Sequence, residues 1–473
     1  MAVLAESDPR LRVLASPRAA AHPEYVLYWC QAFRRPSDNL ALAYAIEQAN
    51  ARGIPCVVYE AIRPDYPFAS DRFHTFVLEG ARAMAAALAK RGLFYAFFLP
   101  KTPDEVRGVV SELSRRAALV VSDDNPTFID GHNRAAAKRM HAPFVVVDDN
   151  TPVPLALFPK QEFAARTIRP KVHKILGDYL KPFREPAPRV DPPATLTLPF
   201  DVVDFSKADV PSLVAACAID HAVPPVAEFP GGAPAAEKRL GAFLKEKLRG
   251  YADDRNEPSR DATSHLSPYL HFGMISARRV ALEAQAAASA AGARIPAASI
   301  DGFIEQLVVR RTLAFNFARS NPAHATYDAL PDWAKKDLAA HEKDPRHTVS
   351  LEDLEAARSP DEVWNAAQLE LRHRGIIHNY LRMLWGKLVL TWTKTPRDAH
   401  ARVVYLNDKY ALDGRDPDGF TNIGWCFGLH DRPWPEHAIF GKVRTMTSRS
   451  AQSKLDLDAY LRRAPAWRSA LGL

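Results

Sequence analysis

The first third of the chain alternates short apolar runs with stretches in which apolar residues recur every three or four positions. The short runs predict strands and the longer stretches predict amphipathic helices. The predicted strands are residues 25–29, 54–62, 93–99, 118–122 and 144–148. Helices are predicted between them at 39–50, 72–90, 103–116 and 132–140. This alternation favours an α/β domain with a doubly wound parallel sheet covered on both faces.

The pattern changes twice further along the chain. Prolines recur through residues 181–235 without a long periodic run, which is typical of a connection between domains. Helical periodicity then dominates, with helices predicted at 237–251, 275–291, 300–316, 359–374 and 376–391. We therefore expect a flexible N-terminal arm (1–22), an α/β domain (23–180), a proline-rich linker (181–235) and an all-helical domain (236–473).

Composition narrows the class of protein. A length of 473 residues suits two domains, and 47% hydrophobic with 25% charged residues excludes a disordered chain. No apolar run is long enough for a membrane span. The four cysteines match no zinc or disulfide spacing, so we expect no metal and a reducing cytoplasm. The net charge of +7 favours a polyanionic partner such as nucleic acid.

The segment SHLSPYLHFG places two serines at the start of a predicted helix. Ser264 and Ser267 bracket this start, and Pro268 suits a first helical turn. Hydroxyls beside free backbone N–H groups can bind an anion. An ordinary capped helix would have the same sequence, so both interpretations stay open.

Three tryptophans occur within thirty residues. Trp385 and Trp392 are seven positions apart and therefore share a helix face, and Trp364 precedes them. They either fill a core or form an electron-hopping chain. The polar, aromatic stretch 405–434 presents a similar choice between a binding site and an Asp–Arg network that caps helices. Arg382, near Trp385, could pair with an aspartate of this stretch.

Several long segments, in order, resemble the class II photolyases of the photolyase/cryptochrome superfamily. They are YWCQAFRRPSDNLALAYA (28–45), PKQEFAARTIRPKVHK (159–174), YADDRNEPSRDATSHLSPYLHFG (251–273), NPAHATYDALPDWAKKDLAAH (321–341), WNAAQLELRHRGIIHNYLRMLWGKLVLTW (364–392), YLNDKYALDGRDPDGF (405–420) and HDRPWPEHAIFGKVRTM (430–446). The resemblance implies the photolyase fold, with a helical domain that binds FAD without a covalent link.

The resemblance also implies roles for individual residues. Tyr251, Ser264, Leu266 and Ser267 would hold the FAD phosphates, Asn407 would lie beside the flavin N5, and Arg382 would pair with Asp413 beside the isoalloxazine. Trp364, Trp385 and Trp392 would form the photoreduction chain. The residues expected to contact the lesion or the DNA are Arg255, Asn256, Gln306, Arg310, Trp425, Arg432 and Trp434.

The implied reaction is light-driven repair of cyclobutane pyrimidine dimers in double-stranded DNA. The enzyme would be a deoxyribodipyrimidine photo-lyase in which excited, reduced FAD (FADH⁻) passes an electron to a dimer flipped out of the duplex. The implied protein is a monomer in the cytoplasm, associated with the nucleoid if the source is bacterial. An antenna chromophore of the deazaflavin type can occupy the N-terminal domain of this family.

The sequence departs from the family pattern near the expected lesion pocket. The usual F-L-E-E-L reads FIEQL here, so Gln306 replaces a glutamate that hydrogen-bonds the dimer. The usual R-R-E-L-A-D-N-F reads RRTLAFNF, so Thr312 and Phe315 replace acids. These changes leave two alternatives open, which are a cryptochrome-like blue-light receptor and a photolyase relative for another lesion.

Overall fold

The computed structural model describes residues 3–193, 196–291 and 294–472. Its strands are β1 (Leu11–Ala15), β2 (Tyr25–Cys30), β3 (Cys56–Ala61), β4 (Phe94–Phe98), β5 (Ala117–Asp123) and β6 (Phe144–Val147). Its α-helices are α1 (Leu40–Arg52), α2 (Asp71–Lys90), α3 (Val109–Ser114), α4 (Phe128–Ala137), α5 (Ala165–Tyr179), α6 (Val210–Ala215), α7 (Ala233–Ala242), α8 (Tyr251–Asp254), α9 (Ser267–His271), α10 (Ala277–Ala291), α11 (Ala297–Ile304), α12 (Arg311–Ser320), α13 (Asp332–Ala340), α14 (Leu351–Glu355), α15 (Glu362–Arg374), α16 (Asn379–Thr391), α17 (Pro396–Tyr410), α18 (Pro417–Cys426), α19 (Ser448–Gln452), α20 (Leu457–Leu461) and α21 (Ala464–Ala470).

The described residues fold into two compact units. The sheet unit comprises the residues up to 159 together with 173–241 and 266–286, and the helical unit comprises 160–172, 242–265 and the residues from 287 onward. The predicted boundaries at 180 and 236 differ from this division, because residues 160–172 belong to the helical unit and residues 266–286 to the sheet unit. The predicted linker also contains α6 and the start of α7.

The sheet has the strand order β1-β6-β5-β2-β3-β4. Strands β2 to β6 run parallel to one another, and β2 lies between β3 and β5. Alternate residues of β2 enter two different cores, with Val26 and Tyr28 on one face and Tyr25 and Leu27 on the other. A central strand buried on both faces explains why β2 is an unbroken apolar run. The α/β and helical architecture predicted from the sequence is confirmed.

The structure adds an antiparallel edge strand to the predicted parallel sheet, within the segment 1–22 that was expected to be a flexible arm. Residues 1 and 2 of that arm lie outside the described residues, but Leu11–Ala15 forms the edge strand β1. It pairs antiparallel with β6, with Leu11 opposite Val147. The side chains of β1 are mostly half-buried, as expected for an edge strand, and therefore lack the continuous apolar run that revealed the other strands.

The helix predicted at 300–316 is interrupted by a π-helical segment at Glu305–Arg310, between α11 and α12. Such segments are rare, and those that exist are often found at functional sites. This one contains Gln306 and Arg310, two of the predicted lesion-binding residues. Local periodicity did not reveal it, since a π-helical turn changes the hydrogen-bond register and not the type of residue.

Candidate active site

All of the predicted site residues except Leu266 and Ser267 belong to the helical unit. Two helices of this unit, α15 and α16, pack against each other and carry Trp364, Arg382 and Trp385, and Trp392 follows directly after α16. Helix α15 begins where Asp361 accepts a hydrogen bond from the Trp364 backbone, and it ends at Gly375. Gly375 has a φ of 65°, a conformation that a residue without Cβ adopts easily, so the chain can turn back towards α16.

The three tryptophans form a continuous contact chain with Trp364 in the middle. The rings of Trp364 and Trp385 are stacked, with centroids 6.0 Å apart and an interplanar angle of 8°. The ring of Trp392 meets Trp364 edge-on, with centroids 5.5 Å apart. Trp364 and Trp385 are at most 1% exposed, whereas Trp392 is 7% exposed. The contact order is therefore Trp385, Trp364, Trp392, from the inside outward.

A glutamine that the sequence analysis missed holds this chain in place. The indole Nε1 of Trp385 donates to Oε1 of Gln368 at 3.1 Å. The indole Nε1 of Trp364 donates to the backbone oxygen of Trp385 at 2.9 Å. Gln368 is fully buried on α15. The available signal was a glutamine between Ala367 and Leu369 on the helix that carries Trp364, because a polar residue that is buried needs a partner.

Arg382 and Asp413 form the predicted ion pair. Nη2 of Arg382 lies 2.9 Å from Oδ1 of Asp413, and both side chains are largely buried. Arg382 lies on α16 one turn before Trp385. Asp413 lies in the loop between α17 and α18, where the backbone N–H of Leu412 donates to the Gly375 oxygen at 2.7 Å. That loop brings a carboxylate to the helix that carries the inner tryptophan.

Asn407 lies close to the same loop, with 1% of its surface exposed. Its Nδ2 donates to Oδ1 of Asp408 at 2.9 Å. A Cβ on Gly419 would lie 3.6 Å from this Nδ2 and 3.7 Å from the Asp413 backbone oxygen. The amide of Asn407 and the backbone of the Asp413 loop therefore both approach Gly419.

These side chains fit the polar edge of a flavin. Within the described residues, Oδ1 of Asn407 and the Nε and Nη1 groups of Arg382 make no hydrogen bond, although both side chains are buried. Buried polar groups normally have partners, so uncommitted donors and an acceptor next to a carboxylate suit a polar ligand. An isoalloxazine ring presents carbonyl and N–H groups that match this set.

The four residues expected to hold the FAD phosphates do not all belong to one unit. Tyr251 is 7% exposed, and its ring meets Phe243 and Phe303 edge-on at 5.7 and 5.5 Å. Helix α9 begins at Ser267 and has only five residues. Ser264 belongs to the helical unit, while Leu266 and Ser267 belong to the sheet unit. The phosphate roles of these four residues remain predictions.

Trp425 and Arg310, from the predicted lesion pocket, lie together. The guanidinium carbon of Arg310 is 5.1 Å from the ring centroid of Trp425, within the range of a cation–π contact. Glu305 lies 3.4 Å from Nε of Arg310 and 2.7 Å from Nη2 of Arg169. Burial opposes ionisation of Glu305, but the hydrogen bond and charge of Arg169 and the charge of Arg310 hold its pKa below the ordinary value.

Glu305 and Gln306 thus have different environments. Glu305 is committed to two arginines, of which Arg169 was not among the predicted site residues. The Gln306 side chain is half-buried and makes no hydrogen bond within residues 3–193, 196–291 and 294–472. Of the two neighbours, Gln306 is the one whose donor and acceptor groups remain available to a ligand.

The two other departures from the family pattern lie inside the helix packing. Thr312 and Phe315 are fully buried on α12. The Thr312 hydroxyl donates to the Val308 backbone oxygen at 2.7 Å. The Arg311 guanidinium lies 4.4 Å from the centre of the Phe315 ring and pairs with Asp418 of α18 at 3.1 Å. The charge of Arg311 is therefore balanced by a neighbouring helix.

The remaining DNA-side residues form two further groups. Arg432 and Arg444 lie over the Trp434 ring at 5.3 and 4.8 Å, and Nε1 of Trp434 donates to Asp431. No ring contact joins Trp434 to Trp425 in the described part of the chain. The backbone oxygen of Arg255 accepts from Nε2 of His378 at 3.1 Å, which ties the end of α8 to the start of α16. The Asn256 side chain makes no hydrogen bond to any described residue.

The described residues contain neither a metal-binding cluster nor a helix that could span a membrane. No group of histidine, cysteine, aspartate and glutamate side chains among them has an arrangement that could hold a metal ion. No helix among them has the length and apolar character that crossing a bilayer requires.

Comparison with known proteins gives consistent matches. Residues 26–189 match the family model described as DNA photolyase. The deoxyribodipyrimidine photo-lyase of Methanothermobacter thermautotrophicus is 36% identical over 462 residues, covering 96% of this chain and 97% of the relative. The enzyme of the same name from Oryza sativa subsp. japonica is 38% identical, covering 92% of this chain and 86% of the relative.

The fold has solved counterparts as well. The crystal structure of the Synechocystis sp. PCC6803 cryptochrome superimposes with a TM-score of 0.71 at 17% sequence identity, covering 94% of this chain and 89% of that one. Identity this low carries information about the fold alone.

Proposed function

The chain belongs to the DNA photolyase family, and we propose that it is a class II deoxyribodipyrimidine photo-lyase that repairs cyclobutane pyrimidine dimers in double-stranded DNA. Relatives with that enzyme name align along nearly the whole chain. The observation that carries the proposal is the position of Trp385, one helical turn from the Arg382–Asp413 pair and stacked on Trp364. A redox-active chain of rings ends beside a set of polar groups that suits a flavin.

Proteins of this family bind FAD, and we assign its isoalloxazine ring to Arg382, Asn407 and Asp413. The phosphates are assigned to Tyr251, Ser264, Leu266 and Ser267 on the resemblance to class II photolyases. When bound, reduced FAD supplies the electron that splits the cyclobutane ring under light. Asn407 offers a hydrogen bond at N5, and the Arg382 charge stabilises an anionic ring while Asp413 fixes the guanidinium.

The lesion is assigned to the groups around the π-helical segment. Trp425 offers a stacking surface for the flipped dimer, worth roughly 1–3 kcal/mol per base, and Arg310 holds that ring through its guanidinium. The Gln306 amide can donate to a thymine carbonyl, which keeps the hydrogen bond but not the charge of a glutamate. Arg255 and Asn256 would fill the gap in the duplex, while Arg432 and Trp434 contact the strand.

Photoreduction of oxidised FAD is assigned to Trp385, Trp364 and Trp392, in that order. We place the protein in the cytoplasm as a monomer on DNA that contains pyrimidine dimers. A deazaflavin-type antenna in the sheet unit belongs to the same proposal, and it rests on the resemblance alone.

The test is repair of a thymine-dimer oligonucleotide by the purified, chemically reduced protein, in light and in darkness. We expect light-dependent loss of the dimer and recovery of two thymines. A photoreducible protein that leaves the dimer intact would contradict the proposal and favour a blue-light receptor or an enzyme for another lesion. Gln306→Glu is the companion variant, because recovery of repair in that variant alone would assign the defect to this position.

A further inference from the structure

The amide of Gln368 is locked between a tryptophan and a backbone carbonyl. Its Oε1 accepts from Nε1 of Trp385 at 3.1 Å, and its Nε2 donates to the backbone oxygen of Glu355 at 3.3 Å. An indole N–H only donates and a carbonyl oxygen only accepts, so the amide has a single possible orientation. The acceptor that faces Trp385 is therefore a neutral amide oxygen, which is a very weak base.

The indole N–H groups along the chain differ in their partners. Trp385 donates to the Gln368 amide and Trp364 donates to a backbone carbonyl, 2.9 Å away. Nε1 of Trp392, at the more exposed end, makes no hydrogen bond within the described residues. An oxidised tryptophan is a much stronger acid than the neutral indole, yet neither inner indole has a base that could take its proton. Only the outer indole is placed to release a proton to water.

We propose that Gln368 serves photoreduction as a non-basic hydrogen-bond acceptor, so that Trp385 keeps its indole proton while its ring is oxidised. The inference rests on the proposed function, since light-excited oxidised flavin is the electron acceptor. One electron leaves Trp385, one electron then moves from Trp364 to Trp385, and one moves from Trp392 to Trp364. The proton finally leaves Nε1 of Trp392. Loss of the proton at Trp385 would instead leave a neutral radical beside the flavin, which is a weaker oxidant and cannot readily take an electron from Trp364.

The groups around Gln368 determine the pKa that a carboxyl would have at position 368. The Glu355 carboxylate, on α14, accepts from Nζ of Lys409 at 2.6 Å and from the Tyr410 hydroxyl at 2.5 Å. Nη1 of Arg372 donates to the same Glu355 backbone oxygen as Gln368 does, at 3.1 Å. A carboxyl at position 368 would lie in a fully buried site beside the Glu355 backbone oxygen, which the Arg372 guanidinium also contacts. Burial raises the pKa of a carboxyl in such a place.

Gln368→Glu is therefore an informative substitution. A protonated glutamic acid reproduces the glutamine, because its carbonyl accepts from Trp385 and its hydroxyl donates to the Glu355 oxygen. An ionised glutamate supplies the base that the native site lacks. Between about pH 6 and about pH 9 the variant should change from the first state to the second. Infrared difference spectroscopy follows that ionisation directly.

The measurement is transient absorption of the flavin-loaded protein after a blue pulse, across this pH range. For Gln368→Glu we expect the yield of long-lived charge separation to fall several-fold as the carboxyl ionises, with the deprotonated tryptophan radical forming before charge reaches Trp392. The wild type should show no such pH dependence. Gln368→His, whose neutral imidazole is a base over most of the range, should show the low yield throughout. Wild-type yields in both variants would overturn the proposal.

Gln368→Leu separates proton retention from simple packing. Leucine cannot accept a proton, so this variant should keep a yield close to that of the wild type even though its stability falls. Equal losses in the leucine and glutamate variants at every pH would indicate a packing role and also overturn the proposal. Dimer repair by chemically reduced protein does not use the chain, so failure of the wild type in that assay would count against the proposed function and not against this inference.

Discussion

The Nζ atom of Lys387 donates a hydrogen bond to the backbone oxygen of Cys426, 3.0 Å away at the end of α18. It also donates to the Arg444 oxygen at 2.6 Å, and the side chain is 1% exposed. Burial lowers the pKa of this lysine. Lys387 lies on the helix that carries Arg382 and Trp385, so it joins that helix to both ends of the 426–444 segment, which contains the DNA-side residues.

Lys387→Met should loosen this segment without removing the flavin groups. The substitution leaves the buried Cys426 carbonyl and the partly buried Arg444 carbonyl without this donor, which costs about 1–3 kcal/mol in the free energy of unfolding. We expect weaker binding of dimer-containing DNA, measured by fluorescence anisotropy, with an unchanged flavin spectrum. Lys394→Met, at an exposed position, is the matched control. Equal affinity in wild type and Lys387→Met would show that the segment does not depend on this lysine.

Trp364→Phe should interrupt photoreduction, because Trp364 is the ring that touches both of the others. We expect charge to stop at Trp385 and photoreduction of oxidised flavin to slow by at least an order of magnitude. Repair by chemically reduced protein should stay near the wild-type level. Trp467→Phe, a buried tryptophan that packs on Tyr460, controls for the loss of ring volume. Comparable losses of photoreduction and repair in Trp364→Phe would indicate a structural role.

Trp385→Phe should also slow photoreduction, since this ring is the inner end of the chain. Its indole N–H donates to Gln368, and phenylalanine removes both this N–H group and the easily oxidised indole ring. The measurement is the rate of flavin bleaching under blue light with an added thiol reductant. Repair after chemical reduction should remain largely intact, and a parallel loss of repair would contradict the assignment.

Asn407→Leu should weaken retention of the reduced flavin. The leucine removes the uncommitted amide oxygen and the bond to Asp408 while keeping a similar volume. We expect faster reoxidation in air and a several-fold higher dissociation of the reduced cofactor, measured by absorbance after gel filtration. Asn365→Leu, which loses an amide bonded to Ser359 instead, is the control. An unchanged reoxidation rate would remove Asn407 from the N5 position.

Glu305→Gln should shift DNA binding from specific to non-specific. The charge that balances Arg169 and Arg310 disappears, so affinity for undamaged DNA should rise and become more sensitive to salt. Arg310 should also be held less firmly over Trp425, and preference for dimer-containing DNA should fall several-fold. Titrations of both DNAs at two salt concentrations measure the ratio. Glu342→Gln makes the same charge change at an exposed site, and an identical response there would exclude a local effect.

Three buried histidines should make the stability of the folded protein sensitive to acid. Burial lowers the pKa of His378, His400 and His430 to about 4, compared with about 6.5 in an unfolded chain. Between these two values the unfolded chain binds more protons than the folded one, so stability falls as the pH drops from 6.5 towards 4. Each histidine contributes a slope of up to about 1.4 kcal/mol per pH unit.

Denaturant titrations between about pH 7 and about pH 5 test this slope. His400 packs against Tyr327 and Phe427, so phenylalanine suits its site. We expect His400→Phe to stay folded and to take up about one proton fewer on unfolding in acid, so the free energy of unfolding depends less steeply on pH. A slope unaltered by the substitution would mean that His400 does not titrate on unfolding.

Local patterns predicted much of the fold because buried parallel strands and amphipathic helices have distinct periods. Strands β2 to β6 coincide with the five apolar runs, and the Asn39 cap and Gly53 bound α1 close to its predicted ends. Edge strand β1 lacks such a pattern because its side chains are mostly half-buried, and no local pattern indicates that Leu11 pairs with Val147. Residues 160–172 belong to the helical unit and residues 266–286 to the sheet unit because of how they pack, and the local sequence does not indicate this.

For the site, the sequence by itself determined which chemical groups are available: three tryptophans, an arginine with an aspartate, an amide at Asn407, and a glutamine at position 306. Their types and motifs suffice to place the chain in its family. Only the tertiary structure decided that Trp364 lies between two rings that follow it in sequence, and that Glu305 is taken by Arg169 while Gln306 stays available. The reason is physical. Contacts between side chains on different helices depend on how those helices pack, and short-range periodicity does not carry that information.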